Sequence, residues 1–298
     1  MCPMLKIRVP ATSANLGPGF DCLGLALDLW NEMTFESADE VIYEVTGEDA
    51  HKLNNYPKNL LTNSFIQVYD FCGKKFTGIR VKSHNNILLS SGIGSSAAAI
   101  VSGLFAANEM LGCPLGTYGL LRIASEIEGH PDNVAPALLG GLVIAVMQQH
   151  EIVWRKYEIP ELSIVVVKPE MEWTTQVGRA ILPATYSRSD AIFNIARTPL
   201  VIDALRNGDL DLLQKVMDDK IHQPYRLEQI SAAKIAYQTA KEFGAVALSG
   251  AGPALICFVK PEHAETAMTS IMAAITEQGV QARGLITRPT SQGIYRVE

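Results

Sequence analysis

The segment with the clearest chemical potential is a loop of small residues that runs into a predicted helix. Its sequence is Leu88-Leu89-Ser90-Ser91-Gly92-Ile93-Gly94-Ser95-Ser96-Ala97-Ala98. Gly92 and Gly94 let the backbone come close to a ligand, and Ser95 or Ser96 would suit the N-cap of the helix. The first turn of such a helix presents backbone N–H groups and the positive end of its dipole to an anion. The segment therefore predicts a phosphate-binding loop, and a tight turn packed on a sheet is the alternative that it leaves open when taken alone.

Two further glycine-bearing loops adjoin predicted strands near the two ends of the chain. The first is Pro10-Ala11-Thr12-Ser13-Ala14-Asn15-Leu16-Gly17-Pro18-Gly19-Phe20-Asp21, and the second is Ala247-Leu248-Ser249-Gly250-Ala251-Gly252-Pro253-Ala254. The polar side chains of the first loop could bind a small polar ligand, although a turn-rich connection has the same composition. The second loop is typical of a tight turn where two backbones approach closely.

Acidic and imidazole side chains cluster after a predicted helix, in the stretch Ser125-Glu126-Ile127-Glu128-Gly129-His130-Pro131-Asp132-Asn133. Positions two apart on a helix do not share a face, so one of Glu126 and Glu128 can point at a metal ion while the other meets solvent. Asp132 could accept a hydroxyl proton or only position a substrate. Helix capping by Asp132 or Asn133 is the alternative to a role in a site.

In this order along the chain, these segments look like the sequence motifs of the GHMP kinases, the galactose, homoserine, mevalonate and phosphomevalonate kinase superfamily. The loop at Leu88–Ala98 resembles the phosphate loop of the superfamily. Ser13–Asp21, Gly129–Pro136 and Leu248–Pro253 most resemble its homoserine kinase branch. The resemblance covers nearly the whole chain.

The resemblance implies an α+β, two-domain GHMP kinase fold with a cleft between the domains. An N-terminal ATP-binding domain, similar to the second domain of ribosomal protein S5, would span residues 1–155, and a ferredoxin-like C-terminal domain would span residues 156–298. The implied activity is ATP-dependent phosphorylation of the side-chain hydroxyl of L-homoserine to O-phospho-L-homoserine, a step in threonine biosynthesis. ATP and Mg²⁺ would be required.

The resemblance also assigns residues to the site. ATP would lie along Leu88–Ala98 with its phosphates at Gly92–Ser96, and Asn59 would line the adenine pocket. Ser96 would hold Mg²⁺ together with a glutamate, for which Glu126 is the better match and Glu128 the alternative. L-Homoserine would contact a set of polar residues, with the first of them near the reacting oxygen: Asn15, Asp21, His130, Asp132, Arg179 and Arg226.

A zwitterionic substrate needs a cation for its carboxylate and an acid or carbonyl for its ammonium group. Arginine suits the carboxylate because its fork binds both oxygens. Arg179 and Arg226 are the candidates, and Asp21 is the candidate partner of the ammonium group. Judged without the resemblance, each arginine is more often a surface charge.

The elements that must position these residues follow from hydrophobic periodicity. In the first half, strand-like segments (6–9, 41–46 and 78–83) alternate with helix-like ones (59–71, 95–111 and 116–128). Segments 142–147 and 152–157 resemble a hairpin, and 162–167 is an apolar strand candidate. The second half then predicts helices over 190–206 and 231–243, two strands, a helix over 261–278 and a final strand pair.

Composition narrows the class of protein. The 298 residues carry a formal charge of −6 and are 48% hydrophobic, which indicates a globular protein and argues against a nucleic-acid partner. An odd, scattered set of cysteines argues against disulfides and zinc ribbons: Cys2, Cys22, Cys72, Cys113 and Cys257. Charges near the start argue against a signal peptide, and the apolar run Val134–Met147 is too short to span a bilayer. We expect a cytoplasmic protein with no membrane partner, and a homodimer, because most soluble oligomers are homodimers.

The remaining histidines lack metal-ligand spacing, so we expect structural or exposed positions for His51, His84, His150, His222 and His263. The tryptophans are dispersed and are expected to pack in the core: Trp30, Trp154 and Trp173.

The sequence leaves two alternative functions open. One is a kinase for another small alcohol such as mevalonate, which the paired arginines and His130-Pro131-Asp132-Asn133 disfavour. The other is a non-catalytic nucleotide-binding regulator, which needs neither a metal-binding glutamate nor the polar Asn15.

Overall fold

A computed structural model describes residues 4–53, 59–149 and 151–298, so Cys2 and His150 lie outside the described residues. The strands are β1 (Leu5–Ala14), β2 (Leu23–Ser37), β3 (Val41–Gly47), β4 (Ile79–Asn85), β5 (Leu142–Gln148), β6 (Glu151–Tyr157), β7 (Ser163–Pro169), β8 (Gly244–Leu248), β9 (Leu255–Val259), β10 (Ala282–Thr287) and β11 (Tyr295–Val297). The helices are α1 (Ala50–Leu53), α2 (Leu60–Phe71), α3 (Ser95–Met110), α4 (Thr117–Glu128), α5 (Val134–Leu139), α6 (Thr175–Ala180), α7 (Arg188–Asn207), α8 (Leu210–Val216), α9 (Gln223–Gln229), α10 (Ser231–Lys241) and α11 (Ala264–Thr276), with a 3-10 turn at Pro261–His263.

The first sheet is organised around β2, which pairs antiparallel with β1, β4 and β5. Strand β3 lies parallel to β4, β6 forms a hairpin with β5, and β11 adds to the free edge of β1. Helix α3 packs on β1 and against α2 and α4. Alternate residues of the strands point to this helical layer, as Ile7 and Val9 of β1 do, and they form a buried apolar core with α3.

The second sheet has the order β10-β7-β9-β8 and is antiparallel throughout. Alternate residues of β7 face different cores: Ile164 and Val166 join the core of the first sheet, whereas Val165 and Val167 pack with α10 and α11. Burial on both faces explains why this strand is a continuous apolar run rather than an alternating one. The two sheets therefore share the first core, and a second core lies between the second sheet and helices α10 and α11.

Most predicted elements are present, with shifts of a few residues at their ends. The exceptions are long-range features. The final two strands do not pair with each other, because β10 joins the second sheet and β11 the first. Sheet membership changes after β6 ends at Tyr157, so the expected boundary between residues 155 and 156 falls within that strand. The domain assignment itself stays a prediction. None of the helices described here is long and apolar enough to cross a membrane.

A close contact between α2 and α3 in the first core provides a test of this packing. A Cβ atom at Gly103 of α3 would lie 2.2 Å from the carbonyl oxygen of Leu61 in α2. We expect Gly103→Ala to lower the free energy of unfolding by about 1–3 kcal/mol, because the overpacking cost exceeds the gain in helix propensity. Urea denaturation measures the change. Gly119→Ala in α4 is the control, since its Cβ would meet only the Leu115 side chain, from 3.3 Å. Equal stability of the two variants would contradict the described packing of α2 on α3.

Candidate active site

A cavity of about 540 Å³ lies where the three glycine-bearing loops meet. The residues predicted for ATP that line it are Asn59, Leu89, Ser90, Ser91, Gly92, Gly94, Ser95 and Ser96. The residues predicted for homoserine that line it are Asn15, His130, Asp132, Arg179 and Arg226. Segments that are far apart in the chain thus contribute to one site.

Backbone hydrogen bonds join the three loops. The N–H of Thr12 donates to the carbonyl of Ile93 at 3.2 Å, and the N–H of Gly250 donates to the carbonyl of Ala14 at 3.1 Å. The Ser249 hydroxyl lies 2.7 Å from the carbonyl oxygen of Gly92 and 2.9 Å from the Ser13 hydroxyl. The phosphate-loop candidate is therefore held from both sides by the other two loops.

Two glycines are required where these loops touch. Both have positive φ, +83° at Gly92 and +74° at Gly94. A Cβ at Gly92 would lie 2.2 Å from the carbonyl oxygen of Ser249, and one at Gly94 would lie 2.0 Å from the Thr12 hydroxyl oxygen. Gly94, not Ser95 or Ser96, is the N-cap of α3, and no side chain caps this helix. The expectation of a serine N-cap was wrong. Because no side chain caps the helix, the N–H groups of its first turn are available to an anion.

The side chains of four residues predicted for ATP do not line the cavity. Leu88, Ile93, Ala97 and Ala98 are buried, and the last three belong to the core beneath the loop. Their contribution to a ligand is therefore limited to backbone groups.

Near Asn59 the cavity is lined by uncharged residues, and several of them were not predicted from the sequence. Asn59 caps α2 by accepting a hydrogen bond from the N–H of Thr62 at 3.0 Å. The missed residues here are Asn31, Met33, Tyr43, Leu53, Leu60, Ser83, Asn85 and Ala99. Burial raises the pKa of Tyr43 to about 12, so its hydroxyl stays protonated. Alternation along β2 and β4 was the signal that could have identified Asn31, Met33, Ser83 and Asn85 as one lining face.

The structure corrects the choice between the two glutamates. The Ser96 hydroxyl donates to Oε2 of Glu128 at 2.7 Å, and Glu128 lines the cavity. Glu126 is exposed and pairs with Arg122 at 3.0 Å, one helical turn earlier. The two side chains do lie on different faces of α4, as their spacing predicts, but Glu128 rather than the expected Glu126 faces the cavity. Burial raises the pKa of Glu128, and among the described residues no Lys or Arg forms an ion pair with it.

The acidic and basic residues predicted for the substrate lie close together. Arg179 donates to both carboxylate oxygens of Asp21, at 3.1 and 2.6 Å. Burial opposes the charge of Arg179, but Asp21 outweighs it and raises the arginine pKa. His130 hydrogen-bonds through Nδ1 to Asp132, which likewise overcomes the effect of burial and raises the pKa of His130. Ligand atoms of Asp21, His130 and Asp132 lie within 4.8 Å of one another. The expected partners of the two ends of a zwitterion are thus paired with each other here.

Arg226 is fully buried, with 1% of its surface exposed. Its guanidinium donates to the carbonyl oxygens of Gly178 and Gly250, at 3.0 and 3.1 Å, and to a nitrogen of His222. Within the described residues it forms no ion pair. Burial and the neighbouring Arg179 lower the pKa of Arg226 to about 10, so it remains charged at neutral pH.

Asn15 has a structural function in addition to its place in the cavity. Its side-chain N–H donates to the carbonyl of Gly250 at 2.7 Å, and its Oδ1 accepts from the N–H of Asp21 at 3.0 Å. The amide therefore orients both the third loop and the acid of the first loop. Its assignment near the reacting oxygen stays a prediction.

The segment that begins α6 is the other part of the lining that sequence reasoning missed. Trp173, Thr174, Thr175 and Gln176 all line the cavity. Trp173 is buried, as expected, but it also donates from Nε1 to the carbonyl of Ala251 at 2.8 Å and so holds the third loop. These residues come shortly before Arg179 in the sequence, and that position could have identified them as part of the site.

Comparisons with known proteins identify the family of the chain. Residues 59–141 match the GHMP kinases N terminal domain, and residues 201–274 match the GHMP kinases C terminal family. A homoserine kinase of Clostridium acetobutylicum is 42% identical over 86% of this chain and 88% of its own. One of Moorella thermoacetica is 39% identical over 97% of this chain and 99% of its own.

Solved structures give the same result. The crystal structure of homoserine kinase from Cytophaga hutchinsonii matches with a TM-score of 0.84 and 27% identity, covering 99% of this chain and 97% of that one. The L. major mevalonate kinase, solved with R-mevalonate, shares the fold with a TM-score of 0.75 at 16% identity, covering 97% of this chain and 96% of that one. The expected two-domain fold is confirmed, and the chain belongs to the GHMP kinases and, among them, to the homoserine kinase family.

Proposed function

We propose that this protein transfers the γ-phosphoryl group of ATP to the side-chain hydroxyl of L-homoserine, giving O-phospho-L-homoserine and ADP in threonine biosynthesis. One observation carries the proposal. A single cavity has an uncapped helix N-terminus on one side and, beside an acid cluster on the other, a buried arginine that forms no ion pair with any residue the structure describes. The first feature suits a polyphosphate, and the second suits a small amino acid.

The residues of the phosphate loop would bind ATP through backbone groups. Gly92, Gly94, Ser95 and Ser96 line the cavity, and α3 begins at Ser95, where the helix dipole favours negative charge. The uncharged end, near Asn59 and Tyr43, has the apolar surface and hydrogen-bonding groups that a purine requires. We therefore place the base at that end and the phosphates at α3.

Ser96 and Glu128 fit a magnesium ion. They offer a hydroxyl and a carboxylate, the hard oxygen ligands that Mg²⁺ prefers, and their oxygens lie 2.7 Å apart. Burial without an ion pair makes the charge of Glu128 costly, which a cation would relieve. When bound with ATP, Mg²⁺ neutralises negative charge on the phosphates. Glu128 replaces Glu126 in this proposal.

The homoserine half of the cavity would bind the zwitterion at both ends. Arg226 is an unneutralised cation suited to the carboxylate, while Asp21 and Asp132 are acids suited to the ammonium group. When the substrate binds, Asp21 and Arg179 would give up part of their contact with each other. Asp21 would contact the ammonium group instead, and Arg179 the carboxylate. Both groups stay compensated in the exchange, so it costs less than exposing a lone charge.

The chemistry needs positioning more than a strong base. Phosphoryl transfer passes through a loose transition state, for which aligned groups and electrostatic relief supply most of the catalysis. We propose that the homoserine hydroxyl attacks the γ-phosphorus directly as the bond to ADP breaks, and that its proton passes to a phosphate oxygen. Asp132, which is buried and bonded to His130, would position the substrate, and Asn15, which lines the cavity, would lie near the reacting oxygen.

The charges also weigh against the two alternatives. Mevalonate has a carboxylate but no ammonium group, so it would add negative charge beside Asp21 and Asp132 without offering them a cation. A regulator that only binds nucleotide would not need the Ser96–Glu128 pair. We also propose a cytoplasmic location, where ATP is available, and the homodimer stays a prediction.

The substrate assignment predicts the outcome of a coupled assay for ADP. With Mg·ATP we expect L-homoserine to be turned over at about 1–100 s⁻¹, typical of kinases. L-Serine, one methylene shorter, should have a kcat/KM at least about 10-fold lower. L-Threonine, mevalonate and galactose complete the panel. Turnover of mevalonate or galactose without L-homoserine would refute the substrate, and ATP binding with no turnover of any compound would favour the regulator.

The metal assignment predicts different effects of two neighbouring substitutions. Glu128→Gln keeps the hydrogen bond to Ser96 but removes the charge, so kcat should fall by about 10²-fold or more. Calorimetry should show that ATP still binds, while the gain in affinity on adding Mg²⁺ is lost. Glu126→Gln is the matched control and should change kcat by less than about 2-fold, because its partner Arg122 is outside the cavity. A larger loss from the Glu126 variant would restore the original assignment.

A further inference from the structure

His222 lies between the first loop and the buried arginine. It is completely buried, and its ring stacks on Phe20 with centroids 5.1 Å apart. One ring nitrogen, Nε2, lies 2.8 Å from the carbonyl oxygen of Gly17, and the other, Nδ1, lies 3.0 Å from the Nη1 atom of Arg226. The expectation of a structural or exposed histidine did not anticipate this contact with a residue of the cavity.

The two contacts fix the tautomer. A carbonyl oxygen only accepts, so Nε2 must carry the proton that it donates to Gly17. An arginine only donates, so Nδ1 must be the unprotonated nitrogen that accepts from Arg226. A second proton on the ring would face the N–H of the guanidinium. The ring is therefore a neutral acceptor towards Arg226.

Because this acceptor is neutral, it leaves the positive charge of Arg226 uncompensated. A carboxylate at the same place would form a buried ion pair with Arg226 and would compete with a substrate carboxylate for it. A neutral acceptor holds one edge of the guanidinium without removing its charge. The carbonyls of Gly178 and Gly250 act in the same way, so all three partners orient the guanidinium and none neutralises it.

The position of His222 is itself well determined. Asp219 accepts hydrogen bonds from the backbone N–H groups of His222 and Gln223, at 2.8 and 2.6 Å. Its nearer oxygen is 3.7 Å from Nε2, on the side of the ring away from the arginine contact. Phe20 covers one face of the ring and also lies 5.3 Å from the Arg226 guanidinium carbon. The acid in this neighbourhood is thus used by the backbone and not by Arg226.

We infer that His222 is a positioning and specificity residue: as a neutral acceptor it orients Arg226 while leaving its charge free for the carboxylate of the substrate. The inference rests on the proposed function and adds a residue that acts through Arg226 rather than on the reacting atoms. It explains the choice of residue at this position, because an acid would neutralise Arg226 and an apolar residue would not accept its hydrogen bond.

The test compares two substrates that differ only in the carboxylate, L-homoserine and 3-aminopropan-1-ol. His222→Glu supplies a carboxylate to Arg226, and His222→Gln supplies one neutral acceptor and one donor. We expect His222→Glu to lower kcat/KM for L-homoserine by at least about 30-fold, as for a lost charge-assisted contact. The value for 3-aminopropan-1-ol and the KM for ATP should change by less than about 3-fold, and Arg226→Met should show the same selectivity as the glutamate variant. His222→Gln should retain most of the preference for L-homoserine.

Several results would overturn the inference. If His222→Glu and His222→Gln lose both substrates equally, the histidine is only structural. If thermal denaturation shows that His222→Glu does not fold, His222→Leu replaces it. The leucine variant lacks the acceptor, so its kcat/KM should fall for L-homoserine and not for 3-aminopropan-1-ol, relative to His222→Gln. An equal fall for both substrates refutes the inference. Wild-type protein that leaves L-homoserine unphosphorylated refutes the proposed function and the inference together, whereas active wild type with unselective variants refutes the inference alone.

Discussion

The close approach of three backbones at Gly92 and Gly94 is the constraint on which the rest of the site depends. At both positions a Cβ atom would lie within 2.2 Å of an atom of another loop, so no other residue fits without moving the loops apart. This contact sets the distance between the phosphate loop, the first loop and the third loop. It also fixes where α3 begins, with a positive-φ glycine as its N-cap and no side chain over its first turn. The anion-binding end of the cavity is therefore a consequence of packing between loops.

The distribution of charge follows from that arrangement. Polar side chains that could cap α3 are used elsewhere: the Ser96 hydroxyl donates to Glu128, and the Ser91 hydroxyl donates to the carbonyl of Leu88. The acids near the other end are compensated locally, Asp21 by Arg179 and Asp132 by His130. Arg226 is left as the buried cation without an ion pair in the described part of the chain. The two ends of the cavity therefore differ in their uncompensated group. One end has the N–H groups of the first turn of α3, which suit a polyphosphate, and the other has Arg226, which suits an amino acid.

The sequence predicted the parts of this structure that depend on neighbouring residues. The glycine loops, the helices α2, α3 and α4 and the hairpin of β5 with β6 all follow from local pattern. The sequence also predicted the charged residues that line the cavity, with Glu128 only as the alternative to Glu126. Features set by distant partners were missed. The choice between Glu126 and Glu128 depends on the rotation of α4 relative to Ser96, and the separation of β10 from β11 depends on which sheet has a free edge. Spacing shows that two residues differ in direction, but it does not show which direction faces the site.

The buried charge of Arg226 explains why so much structure around it is polar. Transfer of a cation from water to the interior costs several kcal/mol unless other groups replace its hydration. Here the replacements are two carbonyl dipoles and an imidazole nitrogen, which are weaker than a carboxylate, so the arginine is stabilised but not neutralised. Those dipoles must in turn be held in place. Asp219 does this for the turn that carries His222, and Asn194 connects Asp219 to the carbonyl of Pro18 in the first loop. The same backbone contacts that shape the phosphate loop therefore continue, through the first loop, into the network that orients the arginine.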